Sequence, residues 1–220
     1  MIKKNIENLL KQIPETVELV GATKTRTSEE ILEAIEGGLK IIGENYIQEA
    51  EKKFKIIGNK VKWHFIGHLQ KNKVKKAAKI FDLIETIDSF EIAQIISEEC
   101  FKIGKQMQIL IEINSGKEIQ KFGVFSSEIE DLIKKINMLK NIKIMGLMTM
   151  GTLEENSENL RLQFKETKEL FEKSKKLNLE NVEMKYLSMG MSNSYQIAIE
   201  EGANIIRIGT YIFGKRNTSL

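Results

Sequence analysis

The chain has 220 residues, of which 41% are hydrophobic and 30% are charged. That balance is typical of a folded globular protein and excludes a disordered or membrane-spanning one. The 34 Lys and Arg residues exceed the 31 Asp and Glu residues by only three, too weak an excess to indicate a nucleic-acid or lipid partner.

The counts of cysteine and histidine limit the possible metal and disulfide chemistry. The chain contains one cysteine, Cys100, and two histidines, His64 and His68. A single cysteine excludes an intramolecular disulfide framework, and so few cysteines and histidines argue against a metal site built from them. We expect no metal ion.

The N-terminal segment has the pattern of an amphipathic helix. Residues 1–13, MIKKNIENLLKQI, lack the continuous apolar core and the cleavage site of a signal peptide. No stretch of the chain approaches the roughly 18 uninterrupted apolar residues that a membrane span needs. The sequence therefore predicts a cytoplasmic protein that contacts neither membrane nor nucleic acid. Its small size favours a monomer.

Short apolar segments alternate with longer amphipathic segments along the whole chain. The amphipathic segments predict helices. Ser28 is the candidate N-cap of one helix, and either Asp88 or Ser89 is the candidate N-cap of another. The predicted helices cover 3–13, 28–36, 45–57, 70–80, 89–103, 126–139, 156–177 and 193–201. The apolar segments are rich in Ile, Val, Phe and Tyr, which predicts eight strands, at 17–23, 38–43, 62–67, 83–87, 107–113, 143–149, 182–188 and 204–209.

Eight strands, each followed by a helix, predict an α/β protein built as a (β/α)8 barrel. A doubly wound open sheet is the alternative architecture for the same alternation. The chain shows no linker, low-complexity tract or internal repeat, and it contains a single proline, Pro14. We therefore expect one domain over residues 1–220.

Lys24 is the first candidate for chemistry, because functional groups of a barrel lie at the C-terminal ends of its strands. Val20, Ala22 and Lys24 share one face of the first strand. If that face points inward, Lys24 stands at the barrel mouth, where partial desolvation of its amine favours reaction with an aldehyde. The alternative is an ordinary solvated lysine at the surface.

Arg207 is the second candidate, because it interrupts the apolar strand Ile205–Ile208. Ile206 and Ile208 should face the helices, which turns Arg207 inward together with Ile205. A buried arginine needs a partner. It could form an ion pair with an inward carboxylate, or it could donate to a ring nitrogen or a phosphate.

Small polar residues follow the seventh and eighth strands, where barrels frequently bind phosphate through backbone amides. Ser188, Ser192, Gly209 and Thr210 supply hydroxyls and exposed amides at these two places. Asn45 follows the second strand and is a further candidate; the alternative is that it is simply the N-cap of the next helix.

Several of these segments together resemble the pyridoxal phosphate homeostasis protein family, whose members bind pyridoxal 5′-phosphate (PLP) and are related to the barrel domain of alanine racemase. Any one of the motifs is weak, but the set runs in order through nearly the whole chain; it comprises VGATKT at 20–25, GENYIQEA at 43–50, WHFIGHLQKNK at 63–73, GLMTMG at 146–151, LSMGMS at 187–192 and RIGTYIFG at 207–214.

The resemblance implies a single barrel of PLP fold type III, with no second β domain. It implies that Lys24 carries PLP as a Schiff base, that Arg207 meets the pyridine nitrogen, and that Asn45 borders the cofactor. The phosphate would be surrounded by residues of the last two strand ends, namely Ser188, Met189, Ser192, Gly209 and Thr210.

Two positions depart from the pattern of the family. Ser194 stands where relatives usually carry an acidic residue, and Tyr46 stands where relatives often carry arginine. Neither residue bears the Schiff base, so the departures concern the loop after the seventh strand and the rim of the site.

The family implies a cofactor carrier that acts in vitamin B6 homeostasis and amino-acid balance, and whose partners include PLP-dependent apoenzymes. An arginine at the ring nitrogen weakens the electron sink that PLP catalysis uses, so we expect no catalytic residues. One alternative is a PLP enzyme that acts on a small amino acid, such as a weak racemase. Another is a sugar-phosphate barrel in which Lys24 acts as an aldolase-type lysine.

Overall fold

A computed structural model describes residues 1–116, 122–151 and 157–215, and it shows eight parallel strands closed into a barrel. Each strand pairs with its neighbours in chain order, and β8 pairs with β1. This closure confirms the barrel and rules out the open sheet. The strands are β1 (Glu18–Ala22), β2 (Ile41–Glu44), β3 (Lys62–Phe65), β4 (Leu83–Ile87), β5 (Met107–Ile113), β6 (Ile142–Thr149), β7 (Val182–Ser188) and β8 (Ile205–Ile208).

Helices connect successive strands on the outside of the barrel, and one further helix precedes β1. None of the helices in the described ranges has the length and apolar character that crossing a bilayer requires. Residue 156, where the seventh predicted helix begins, lies outside the described residues. The helices are α1 (Ile2–Gln12), α2 (Ser28–Glu36), α3 (Ile47–Ile57), α4 (Val74–Ile80), α5 (Phe90–Lys102), α6 (Ile129–Asn137), α7 (Ser157–Lys175), α8 (Tyr195–Glu200) and α9 (Thr210–Phe213).

Capping residues fix where two of these helices begin. Of the two candidate caps of α5, Ser89 is the N-cap, because its hydroxyl accepts from the amide of Ile92. Ser28 is not the cap of α2; Thr27 is, because its hydroxyl accepts from the Glu30 amide while the Glu30 carboxylate accepts from the Thr27 amide. This reciprocal capping box satisfies two amides that Ser28 could not reach from inside the helix.

The strands divide the core into two parts. Ile206 and Ile208 pack with the helices, whereas Val20 and Ile205 lie inside the barrel, as their alternation predicted. Eight buried side chains fill the barrel interior below the mouth; they are Val20, Ile41, Leu83, Leu110, Met145, Met148, Tyr186 and Ile205.

A bulge in β6 sets the direction of the side chains that follow it. The pairing of β6 with β5 and β7 shifts register around Gly146, whose φ of +152° is one that side chains rarely adopt. A Cβ at this position would overlap the carbonyl oxygen of Tyr186. The shift allows Met145 and Met148, which are three residues apart, to face the interior together.

Candidate functional site at the barrel mouth

Two adjacent cavities open at the C-terminal ends of the strands. We call the larger one, of about 650 Å³, the cationic cavity. Among the described residues, it is lined by four cationic side chains and by no carboxylate; the four are Lys24, Arg26, Arg207 and Lys215. The second cavity, of about 400 Å³, shares four lining residues with the first, namely Asn45, Ile66, Met150 and Met191.

Lys24 lies in the turn after β1, is half-buried and lines the cationic cavity. Its neighbour Thr25 has a φ of +66°, a conformation that a threonine adopts only when its surroundings impose it. The Thr25 amide donates to the Glu49 carboxylate at 2.8 Å. This hydrogen bond stabilises the turn that presents Lys24 to the cavity.

A buried ion pair holds the other side of the same turn. The Lys53 ammonium donates to the Thr23 carbonyl and to Glu44 Oε1, each at 2.7 Å, and the Thr23 hydroxyl donates to the same carboxylate oxygen at 2.6 Å. Burial raises the pKa of Glu44 above its ordinary value, although Lys53 opposes the shift. We call Lys53, Glu44 and Thr23 the Lys53 anchor, because they hold the residue that precedes Lys24.

Arg207 has a fixed set of partners inside the barrel. Its guanidinium donates to the Ser188 hydroxyl at 2.5 Å and to the Thr149 carbonyl at 2.8 Å. The Ser188 hydroxyl donates to Glu85 Oε2 at 2.6 Å, and that oxygen lies 3.8 Å from the guanidinium. Arg207 therefore pairs with an inward carboxylate, which is the first of its two predicted roles. It also lines the cationic cavity, so it could still donate to a ring nitrogen or a phosphate, which is the second.

The charges around Arg207 depend on burial and on close partners. Burial lowers the pKa of the Arg207 guanidinium against the effect of Glu85 and Glu112, but a guanidinium stays protonated in proteins. Burial alone would raise the pKa of Glu85. His64 opposes this effect through a hydrogen bond and its charge, since its Nδ1 lies 2.7 Å from Glu85 Oε1. Together with the charge of Arg207, these interactions hold the pKa of Glu85 below its ordinary value.

The structure brings some of the predicted phosphate residues together and separates others. Ser192, Gly209 and Thr210 line the cationic cavity with Lys24. Ser188 and Met189 are fully buried and do not line it. The Ser188 hydroxyl is used by Glu85 and Arg207, and the Met189 amide donates to the Ile205 carbonyl at 3.1 Å, because β7 continues through Ser188 into the barrel wall.

Asn45 lies at the boundary between the two cavities and lines both. It is not the N-cap of α3, because Tyr46 occupies that position. Its amide nitrogen donates to the Ile66 carbonyl at 3.3 Å, and its Oδ1 is buried without a hydrogen-bond partner among the described residues. An unsatisfied buried oxygen at a cavity wall is available to a ligand.

The two departures from the family pattern have different consequences. The Ser194 hydroxyl accepts from the Met191 amide at 3.0 Å, so it ties together the loop in which Ser192 lies. In this chain a neutral hydroxyl therefore accepts the hydrogen bond that a carboxylate at the same position could accept. Tyr46 is 54% exposed and makes no capping hydrogen bond.

Glu85 and Glu112 line the barrel interior and were missed by the strand-end analysis. Glu85 interrupts the apolar strand LIETI, and Glu112 interrupts the apolar strand MQILIEI. A charged residue inside an apolar strand could have identified both as candidates, as it identified Arg207. Glu112 is 7% exposed. Burial, together with the charges of Asp88 and Glu85, raises its pKa to about 7, against the attraction of Arg207.

This raised pKa predicts a pH-dependent cost of burying Glu112. The carboxyl has a pKa of about 7 in the folded protein, against an ordinary value of 4.5. Between these two pH values, the folded protein keeps a proton that the unfolded chain releases. The contribution of this proton to stability is therefore lost as the pH rises from about 4.5 through about 7. Replacing Glu112 with Gln removes this loss. We expect the variant to unfold at the same urea concentration as the wild type near pH 4.5 and to be more stable by about 3 kcal/mol near pH 8.

Urea titrations followed by the fluorescence of the buried Trp63 measure this difference. Glu15 is exposed, so Glu15→Gln serves as a control that should stay within about 0.5 kcal/mol of the wild type at both pH values. A difference between Glu112→Gln and the wild type that does not change with pH contradicts the prediction.

Comparison with known proteins gives consistent results. The family model described as "Alanine racemase, N-terminal domain" matches residues 1–217. A protein of Aquifex aeolicus named pyridoxal phosphate homeostasis protein is 41% identical over 90% of this chain and 86% of its own length. A protein of the same name from Vibrio alginolyticus is 36% identical over 99% of both chains.

Solved structures agree with these sequence matches. PipY of Synechococcus elongatus, solved with PLP bound, superposes with a TM-score of 0.90 at 27% identity, over 97% of this chain and 100% of PipY. An alanine racemase of Clostridium difficile superposes with a TM-score of 0.81 at 17% identity, over 99% of this chain and 57% of the racemase. At that identity, the racemase shows only that the barrel fold is shared.

Proposed function

This chain belongs to the pyridoxal phosphate homeostasis protein family, and we propose that it binds PLP in the cationic cavity and holds it as a Schiff base on Lys24. The observation that carries this proposal is the charge of the cavity lining. Four cationic side chains and no carboxylate line it among the described residues. Such a lining suits a phosphate dianion and places an amine beside it.

The residues present fit the cofactor in three places. The Ser192 and Thr210 hydroxyls, with the backbone at Gly209, form the small polar part of the lining that would hold the phosphate. Asn45, at the boundary with the second cavity, would border the cofactor. When bound, PLP supplies an electrophilic aldehyde carbon and an electron-accepting ring. Lys24 would hold the cofactor covalently through its ε-nitrogen.

Arg207 would donate to the ring nitrogen and keep that nitrogen unprotonated, because the guanidinium does not give up its proton. Ser188, Thr149 and Glu85 fix the orientation of the guanidinium from below. An unprotonated ring withdraws electrons weakly, which supports a carrier over a catalyst. The names of the relatives, which refer to homeostasis, support the same choice.

We therefore propose a single PLP-binding domain over residues 1–220 that stores or delivers the cofactor in the cytoplasm, as a monomer, and thereby influences vitamin B6 and amino-acid pools. PLP-dependent apoenzymes would be its partners, with no role for nucleic acid or membrane. The alternative, a weak racemase that acts on a small amino acid, predicts robust turnover when the purified protein is assayed against a panel of amino acids.

The direct test is an absorption spectrum of the purified protein after addition of PLP. We expect a yellow chromophore that borohydride bleaches, and a tryptic peptide whose added mass lies on Lys24. A colourless protein, or one that borohydride links to a sugar phosphate, contradicts the proposal and favours the aldolase-type alternative. Cofactor attached to another lysine would contradict the assignment of Lys24 but not the binding of PLP.

Pyridoxal without its phosphate should bind much more weakly than PLP. Loss of about two charge-assisted hydrogen bonds costs about 3 kcal/mol, or about 100-fold in dissociation constant. Titrations that follow the absorbance of the chromophore compare the two aldehydes under the same conditions. Equal affinities would show that Ser192, Gly209 and Thr210 do not hold the phosphate.

A further inference from the structure

The second cavity at the barrel mouth has a lining opposite in charge to that of its neighbour. Among the described residues that line it, Glu112 is the carboxylate and no Lys or Arg is present. We call it the acidic cavity. His68 lies at its wall, with a ring nitrogen 3.8 Å from Asp88. Thr86 and Thr149 contribute hydroxyls to the wall, but both donate to backbone carbonyls, so they meet a ligand mainly as acceptors.

Two oxygen-bearing side chains of this cavity could accept from a ligand. Glu112 is more than nine-tenths buried and lines the cavity, and its backbone carbonyl accepts from the Val124 amide. Asn45 Oδ1, in the wall shared with the cationic cavity, is buried and has no hydrogen-bond partner within the described ranges. Buried polar groups are normally satisfied, so an unpartnered amide oxygen in the same cavity wall as a buried carboxylate indicates a ligand that brings donors.

The remaining wall of the acidic cavity is largely apolar, with Asn114 and Ser115 as further polar residues. Ile66, Ile113, Phe122 and Met150 contribute aliphatic and aromatic surface. A ligand complementary to this lining carries a positive charge with several donors at one end and a short hydrocarbon at the other. A primary alkylammonium ion has both features, since its head offers three donors and no acceptor.

We propose that the acidic cavity is a binding site for a small aliphatic primary amine, whose ammonium group lies between the Glu112 carboxylate and Asn45 Oδ1. The shared wall places such an amine next to the cavity lined by Lys24. The proposal rests on the lining of the acidic cavity and stands whether or not the cationic cavity holds a cofactor.

The charged groups around Glu112 determine how binding depends on pH. Glu85 on β4 and Asp88 after β4 oppose its ionisation, and Arg207 on β8 favours it. His64 on β3 faces Glu85 and completes this set, with His68 at the cavity wall. Because the pKa of Glu112 is about 7, an ammonium ion that requires the carboxylate should bind about tenfold more tightly near pH 8 than near pH 6.

Isothermal titration with n-butylamine, n-butanol and n-butyrate tests the site, because the three probes each have four carbon atoms and differ in the charge of the polar group. The wild-type protein is titrated twice, without cofactor and after PLP loading followed by borohydride reduction, so that the amine cannot react with an aldehyde. We expect butylamine to bind in both forms, at least about tenfold more tightly than butanol, and butyrate to be weaker still.

Glu112→Gln should weaken butylamine binding at least about tenfold and abolish its pH dependence, while PLP is captured as in the wild type. Glu15→Gln should change neither. Butanol binding as tightly as butylamine, or full affinity retained in Glu112→Gln, overturns the proposal, as does the absence of butylamine binding near pH 8. Failure of PLP capture is scored separately, by the visible chromophore, and does not affect the titration of the cofactor-free protein.

Discussion

Replacing Lys24 with alanine will abolish covalent attachment of PLP. The ε-amine of Lys24 is the primary amine that the turn after β1 presents to the cationic cavity, where Ser192, Gly209 and Thr210 also lie. Lys215 also lines this cavity, and peptide mass analysis distinguishes attachment at Lys215 from attachment at Lys24. We expect the borohydride-trapped chromophore to fall to the background of the assay, while PLP still binds reversibly through the phosphate residues with an affinity weaker by at least about tenfold.

Absorbance spectra, borohydride trapping and peptide mass analysis of Lys24→Ala beside the wild type measure this loss. Lys40 is exposed and lies outside both cavities, so Lys40→Ala controls for nonspecific attachment to surface lysines. A variant that still carries the full trapped chromophore would place the reactive amine elsewhere. Complete loss of even reversible binding would mean that the phosphate residues contribute little by themselves.

Replacing Lys53 with methionine will destabilise the fold more than any surface substitution. Its ammonium is the cation paired with Glu44, whose side chain is fully buried. Removing one partner of a buried ion pair leaves the other charge uncompensated, at a cost of about 3–5 kcal/mol. Because burial already raises the pKa of Glu44, we expect the carboxyl to take up a proton in the variant, and the cost to shrink as the pH falls.

The same substitution should slow the capture of PLP, because the Lys53 anchor holds Thr23 next to Lys24. Urea unfolding measures the stability, and the rate at which the chromophore appears reports on the turn. Lys52→Met is the matched control, since its side chain is exposed on the same helix. Adding Glu44→Gln to Lys53→Met should restore part of the stability. A single variant as stable as Lys52→Met would contradict the role given to the anchor.

The two cavities at the barrel mouth are lined by side chains of opposite charge. Arg207 lines the cationic cavity, whereas Glu112 lines the acidic one, and each influences the pKa of the other. The barrel interior therefore carries a connected set of charged groups beneath both cavities. A substitution at Glu85, which contacts the set through Ser188 and His64, should affect both cavities.

Local pattern was enough to predict the architecture and part of the site. The alternation of strand and helix gave eight strands in the observed order, and period-two alternation turned Lys24 and Arg207 toward the same interior, because side-chain direction in a strand depends only on sequence parity. Residues that follow strand ends, such as Ser192 and Thr210, were found because the ends of parallel strands meet at one edge of a barrel.

Tertiary structure alone decided which partners these residues have. Ser188 and Ser192 are both serines near the end of the seventh strand. Ser188 nevertheless lies beneath the cavity and accepts from Arg207, because it is the last residue of β7 and its side chain points into the barrel. Lys53 lies on α3 and Glu44 on β2, and the two side chains pair only in the folded protein. Closure of the barrel buries Glu112. Pairing between distant elements is a property of packing, and no local sequence pattern contains it.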